Sequence, residues 1–140
     1  MSSDEDIDTM ARTLWGEARN QGIIGMEAVA CVIMNRLAVS ESHAGYWWGN
    51  TVTDICRKPW QFSCWNENDP NREKLLAVTS DDREFSAALD IAKDAVNGHL
   101  SDVTGGANSY CTVSLKPSWA VNMIQTAIIR QHVFYKPKAY

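Results

Sequence analysis

"ARTLWGEARNQGIIGMEAVACVIMNR" occupies residues 11–36. Its first part continues a pattern that begins at Asp4, in which Ile7, Met10, Ala11, Leu14 and Ala18 recur at steps of three and four. That spacing places them on one helix face. Asp4, Glu5 and Asp6 crowd the first turn, where the helix macrodipole favours negative charge. Asn20-Gln21-Gly22 supplies the stop. A helix is therefore predicted over residues 4–19, with Glu17 in its last turn. A second helix is predicted from Gly25 to about Leu37. Its apolar residues, among them Met26, Val29, Ala30, Val32 and Ile33, surround most of its circumference, which marks a central, buried helix.

Outward from this pair the pattern changes. Residues 38–70 are rich in Ser, Gly, Asn, Trp and Pro, with room for one short helical turn near Val52 to Cys56. A long aromatic-rich irregular stretch inside a small domain is more often a binding segment than a linker. Asp81 and Glu84 make a capping box for a further helix carrying Phe85, Ala88, Leu89, Ala92 and Val96, closed by Gly98. "GGANSYCTV" at 105–113 reads as a turn into a short strand. "SWAVNMIQTAIIR" from Ser118 reads as a helix or a helix–strand mixture, and "HVFYK" is β-prone. The fold class is α+β, helix-dominated, with a small β region.

The chain has 140 residues, the size of one domain, and residues 1–140 are taken as such. Folding at this length buries roughly 68% of the unfolded surface. Thirteen Lys and Arg against 17 Asp and Glu give a net charge of −4, which supplies no cationic footprint for nucleic acid or an anionic membrane. The six Trp suit a core, and equally a sugar or ligand cleft. Residues 1–10 are acidic and lack a secretory signal's positive start and apolar run. No window is expected to reach the ~20 mostly apolar residues of a bilayer span, the longest being "MEAVACVIM", interrupted by Glu27. The absent signal points to a reducing compartment, with Cys31, Cys56, Cys64 and Cys111 as thiols and Cys56–Cys64 as the alternative pair.

Physics singles out Glu17 only conditionally. A carboxylate at a helix C-terminus faces the negative end of the dipole, and aromatic neighbours that exclude water would add to the preference for a neutral acid. Arg19, two residues on, does not share its helix face. An arbitrary Glu in this position is nonetheless most often a solvated surface residue. His43, His99 and His132 with the cysteines lack the tight spacings of structural zinc, so no metal is expected. A Cys–His pair, Cys64 or Cys111 with His132, would make a peptide-cleaving enzyme, although a buried inert cysteine is the commoner outcome. Gly105-Gly106 lacks the further glycines or lysine of a phosphate loop, and no cofactor is expected.

Four blocks in order, "ARTLWGEARNQGIIGMEAVACVIMNR", "WQFSCW", "GGANSY" and "QHVFYK", resemble the SleB-type, spore-cortex-lytic cell wall hydrolase family across residues 11–136. The resemblance implies a lysozyme-like, lytic-transglycosylase-like domain acting on the glycan strands of peptidoglycan. Glu17 matches the family's catalytic glutamate, which would protonate the glycosidic oxygen between N-acetylmuramic acid and N-acetylglucosamine. It would then act as base while the muramic 6-hydroxyl closes on C1. Ordinary glycosidases need a second carboxylate about 5 to 9.5 Å away. Asp54, Glu67 and Asp69 lie in the irregular stretch without a recognisable motif, which favours the one-carboxylate route, with a water-using muramidase as the alternative.

By the same comparison Trp60 offers a sugar-stacking face or, equally, core packing. Gln61 and Ser63 would hydrogen-bond the sugar, Tyr110 would border the catalytic centre with Asn108 nearby, and the 20–22 turn would rim the cleft. His132 is expected to be structural and hydrogen-bonded near the core edge. This chain departs from the pattern by inserting "SESHAGYWWGN" and by its extra cysteines, which implies a differently shaped cleft. The missing signal suggests a monomeric phage endolysin, made in the host cytoplasm and acting in the periplasm or wall after holin-mediated release.

Overall fold

The computed structural model describes residues 3–42 and 48–138. His43, and residues 43–47 of the insertion, lie outside the described residues. Helix α1 (Ser3–Ala18) carries Asp4, Glu5 and Asp6 in its first turn and passes through a 3-10 turn, Arg19–Gln21, into α2 (Gly22–Ser42). The junction uses Gly22 at φ +75°, a left-handed conformation that costs glycine little. Gln21 is buried there, and its Oε1 accepts a hydrogen bond from the Gln131 amide at 3.0 Å. The turn expected at a cleft rim thus docks onto the β-hairpin.

Short α3 (Val52–Arg57) starts at Thr51, whose hydroxyl accepts from the Asp54 amide at 3.0 Å. A second short helix, α4 (Arg72–Ala77), follows a 3-10 turn at Ser63–Trp65. At only six residues, α4 left too little periodicity to be predicted. The amphipathic α5 (Arg83–Val96) is where the sequence places it, but its cap is Asp82 rather than Asp81. Asp82 Oδ1 accepts from the Phe85 amide and from the Trp15 indole, so one carboxylate caps α5 and ties it to α1.

Strands β1 (Ser109–Thr112), β2 (Met123–Ile129) and β3 (His132–Pro137) form an antiparallel sheet in the order β1-β3-β2. The segment from Ser118 is the expected mixture, a 3-10 turn at Ser118–Asn122 leading into β2. α2 lies between two apolar layers. Met26, Val29, Ala30 and Ile33 join Leu14 of α1, Phe85 and Ile91 of α5, and Phe62 in the main core. Ala28 and Val32 pack instead with Ala107 and Phe134 beside the sheet. Each fully buried aliphatic or aromatic side chain contributes about 1.5–3 kcal/mol of transfer free energy, and a helix packed on two sides needs apolar residues all round. This accounts for a hydropathy higher than expected: an 18-residue window in the Asp4–Ser42 helical stretch reaches 1.6, long and apolar enough by composition to span a bilayer. Half of that window is buried inside the fold. Cys31, Cys56 and Cys64 are buried, and all four cysteines are unbridged.

Candidate active site

α1 delivers Glu17 from its last turn, half-buried, into a cleft of about 550 Å³. Trp60, Gln61 and Ser63 line it, together with Ser109 and Tyr110 at the start of β1 and Arg36 of α2. Two contacts fix the carboxylate. The Tyr110 hydroxyl donates to Oε1 at 2.8 Å, and the Cys64 amide donates to Oε2 at 3.3 Å. Each element that touches Glu17 is itself anchored. Tyr110 stacks on Phe134 with ring centroids 5.5 Å apart and meets His132 at 4.9 Å. Cys64 sits in the 3-10 turn against α1, its Cβ and Sγ packed on Gly16. Burial, followed by the adjacent Glu17 charge, raises the Tyr110 hydroxyl well above the ordinary tyrosine range. Tyr110 therefore stays a hydrogen-bond donor at any working pH.

Arg19 turns away from the cleft. Its guanidinium stacks over Trp15 at 3.9 Å and donates to the Trp15 carbonyl. Arg36 is buried, its Nε donating to the Asn108 carbonyl at 2.8 Å and its cation lying 5.1 Å from the Trp48 ring.

Trp60, Gln61 and Ser63 all line the cleft. Phe62 between them is 2% exposed and belongs to the core, whereas Trp60 is 77% exposed. Trp60 also holds φ +70°, an uncommon conformation for a bulky residue that costs of order 1–3 kcal/mol and clusters at functional sites. The two aromatic positions therefore divide, one packing the core and one facing solvent over the cleft. Asn108 does not reach the cleft. It is buried, its amide donating to the Tyr135 carbonyl and its Oδ1 accepting from Ser109 Oγ. It supports the wall from behind, because its carbonyl is already committed to Arg36.

Sequence reading missed Arg36, Trp48, Ser109, Trp119 and Met123, which complete the lining. Only Arg36 had a local signal, a charge closing an otherwise apolar buried helix. The other carboxylates weighed as partners lie elsewhere: Asp54 beside Trp48 and Arg57, Glu67 behind Trp60, and Asp69 accepting from the Asn71 amide. Among the described residues, Glu17 is the one carboxylate lining the cleft. His132 is buried, and its Nδ1 has no hydrogen-bond partner among the described residues. Burial pushes the Cys64 thiol upward, reinforced by Glu17, and Cys56 up to about 12. Such thiols are poor nucleophiles.

A helical core with a small antiparallel sheet is the fold of lysozyme-like, lytic-transglycosylase-like catalytic domains. Within that class the chain belongs to the Cell Wall Hydrolase family, whose profile matches residues 20–135. The match begins just past Glu17, but relatives align through it. The spore cortex-lytic enzyme of Halalkalibacterium halodurans is 31% identical over 133 residues, 94% of this chain and 35% of the relative. That of Bacillus cereus is 30% identical over 135 residues, 96% and 45%. The chain thus spans less than half the length of these curated relatives. Among solved structures, the catalytic domain of the germination-specific lytic transglycosylase SleB from Bacillus anthracis matches with a TM-score of 0.71 and 29% identity, covering 96% of this chain and 97% of that one. The B. cereus SleB catalytic domain gives 0.72 and 28%, covering 95% and 91%. The fold is that of the SleB catalytic domain.

Proposed function

We propose that this domain cleaves the β-1,4 bond between N-acetylmuramic acid and N-acetylglucosamine in peptidoglycan as a lytic transglycosylase, with Glu17 as general acid and then general base. Glu17 gives its proton to the glycosidic oxygen as the C1–O bond breaks. The resulting carboxylate takes the proton of the muramic 6-hydroxyl as O6 bonds to C1. The 1,6-anhydro ring forms without water, and the acid is regenerated. The observation that carries this reading is the single carboxylate that lines the cleft among the described residues: hydrolysis by the usual routes needs a second one about 5 to 9.5 Å away, and the described lining supplies none. Trp60 and Trp119 offer apolar ring faces to sugars, while Gln61 and Ser63 offer hydrogen bonds to hydroxyl and N-acetyl groups.

Mass spectrometry of digested peptidoglycan tests the reaction. Anhydro-muramic ends, lighter by one water than hydrolysed ends, are expected; reducing muramic ends would replace transglycosylation with muramidase action. For the biological setting we propose phage-directed host lysis, with the enzyme held in the cytoplasm until a holin opens the membrane. Expression in a host with and without a holin tests this: lysis is expected only with it, and lysis without a holin would remove the requirement.

A further inference from the structure

Trp60 is a wall with two sides. One side lines the Glu17 cleft, and the residue also lines a second groove of about 440 Å³ together with Trp65. The Trp65 indole is fixed by donating to Thr13 Oγ1 at 2.9 Å. The turn beyond it is tied by the Asn66 amide to the Ser63 carbonyl at 2.9 Å and the Asp69 amide to the Asn66 carbonyl at 3.0 Å. Arg57 and Lys58, the acid Glu67 and the amide Asn68 also line the groove. Arg57 is exposed, and its guanidinium lies 4.7 Å from the Trp65 ring centre. Among the described residues no carboxylate pairs with it, the recorded ion pair being Arg12–Asp8. The groove is thus lined by two tryptophans, two cations and one acid, and it shares Trp60 with the catalytic cleft.

We infer that this groove binds the stem peptide carried by the glycan strand, with Arg57 and Lys58 facing its carboxylates and Glu67 facing the free amine of its diamino acid. The inference rests on the peptidoglycan reading of the main cleft and deepens it. A glycan chain in the Glu17 cleft carries peptide branches on its muramic residues, and a branch needs a path sideways out of the cleft. The groove behind Trp60 supplies that path. Its charges suit a short peptide with carboxylates and one ammonium better than an uncharged run of sugar hydroxyls. Guanidinium also pairs with carboxylate through two parallel hydrogen bonds.

The test compares wild type with Arg57→Glu on two substrates: sacculi with intact stems, and the same glycan stripped of stems by an amidase. On intact sacculi the variant is expected to release soluble fragments about five- to tenfold more slowly, the range of a rim ion pair lost and replaced by repulsion. On stripped glycan the two proteins should agree within about twofold, as Arg57 lies outside the catalytic cleft. A stem tetrapeptide containing γ-linked D-glutamate and a diamino acid, titrated while the Trp60 and Trp65 indole N–H resonances are followed, should shift them in wild type and not in the variant. Equal slowing on both substrates, or no slowing on either, would overturn the inference while leaving the main function intact. If wild type binds the tetrapeptide yet cleaves neither substrate, the groove stands and the transglycosylase reading fails.

Discussion

The Tyr110 hydroxyl donates to Glu17 Oε1 at 2.8 Å, joining residues 93 apart in the chain. The bond links the end of α1 to the first strand of the sheet, so the carboxylate is oriented by both halves of the fold. The Cys64 amide holds the other oxygen. Glu17→Gln keeps one oxygen to accept from Tyr110, replaces the oxygen that accepts from the Cys64 amide with an NH2 group, and removes the transferable proton. It is expected to abolish clearing of permeabilised cells, by at least the ~10²–10⁴ that general acid–base groups supply, with thermal stability nearly unchanged or raised. Turbidity clearing and a thermal melt on one preparation check both. Comparable clearing by the variant would remove Glu17 from the catalytic role.

Tyr110→Phe leaves the ring stack on Phe134 and His132 in place and deletes the donor. Because burial keeps the hydroxyl protonated, the loss should act on carboxylate orientation rather than on a titration. The rate is expected to fall about ten- to a hundredfold, with ~1 kcal/mol lost in stability. Initial rates and denaturant midpoints measure the two effects. An unaltered rate would reduce Tyr110 to a wall residue.

Gly16, one residue before Glu17, has no room for a side chain. A Cβ there would lie 2.7 Å from Cys64 Cβ, 2.8 Å from its Sγ and 3.2 Å from Leu75 Cδ1. Gly16→Ala gains up to ~1 kcal/mol in helix propensity but forces the 63–65 turn outward at about 1–3 kcal/mol. Net destabilisation is expected. Activity should fall further than stability, because the displaced turn carries the Cys64 amide. A stabilised, fully active variant would contradict the tight packing.

The combined change Cys64→Ala and Cys111→Ser separates glycan from peptide cleavage. The buried Cys64 thiol is pushed upward, away from thiolate, and acid–base cleavage of a glycan by Glu17 calls on neither cysteine. Lysis at a rate within about threefold of wild type is expected. Abolished lysis with the fold retained, judged by circular dichroism, would restore the Cys–His alternative.

Much of this arrangement is legible in the chain where a periodic pattern is long enough to speak. The α1–α2 pair and α5 declare themselves through their apolar spacing, and Glu17 falls in the last turn as expected. Where interactions between distant residues decide, local pattern is silent. Asp82 rather than Asp81 caps α5 because the Trp15 indole also reaches it. Asn108 lies two residues before Tyr110 yet is buried in the scaffold, its backbone bonded to Arg36 and Tyr135 and its side chain to Ser109. Trp48, beside Arg36 of α2, and Trp119, on the sheet beside Tyr135, reach the cleft from irregular or 3-10 segments, which no periodicity encodes. The family blocks named the carboxylate; the contacts that orient it required the fold.

His132 gives the enzyme an acid-sensitive spot. It is 7% exposed, its Nδ1 has no partner among the described residues, and its ring packs against Tyr110 and, edge-on, against Phe134. Burial lowers its pKa below the ordinary histidine value. The unfolded chain, with a histidine pKa of about 6.5, therefore binds more protons than the native one just below that pH. Stability is fully retained above about pH 6.5 and declines as pH falls toward the lowered native value. Wild type is expected to melt at a lower temperature at pH 5 than at pH 7.5. His132→Phe keeps an aromatic ring without a proton site, so it should flatten that difference. Melts across the interval measure the slope. The same slope in both proteins would show that the charging of other groups, not of His132, governs the acid side.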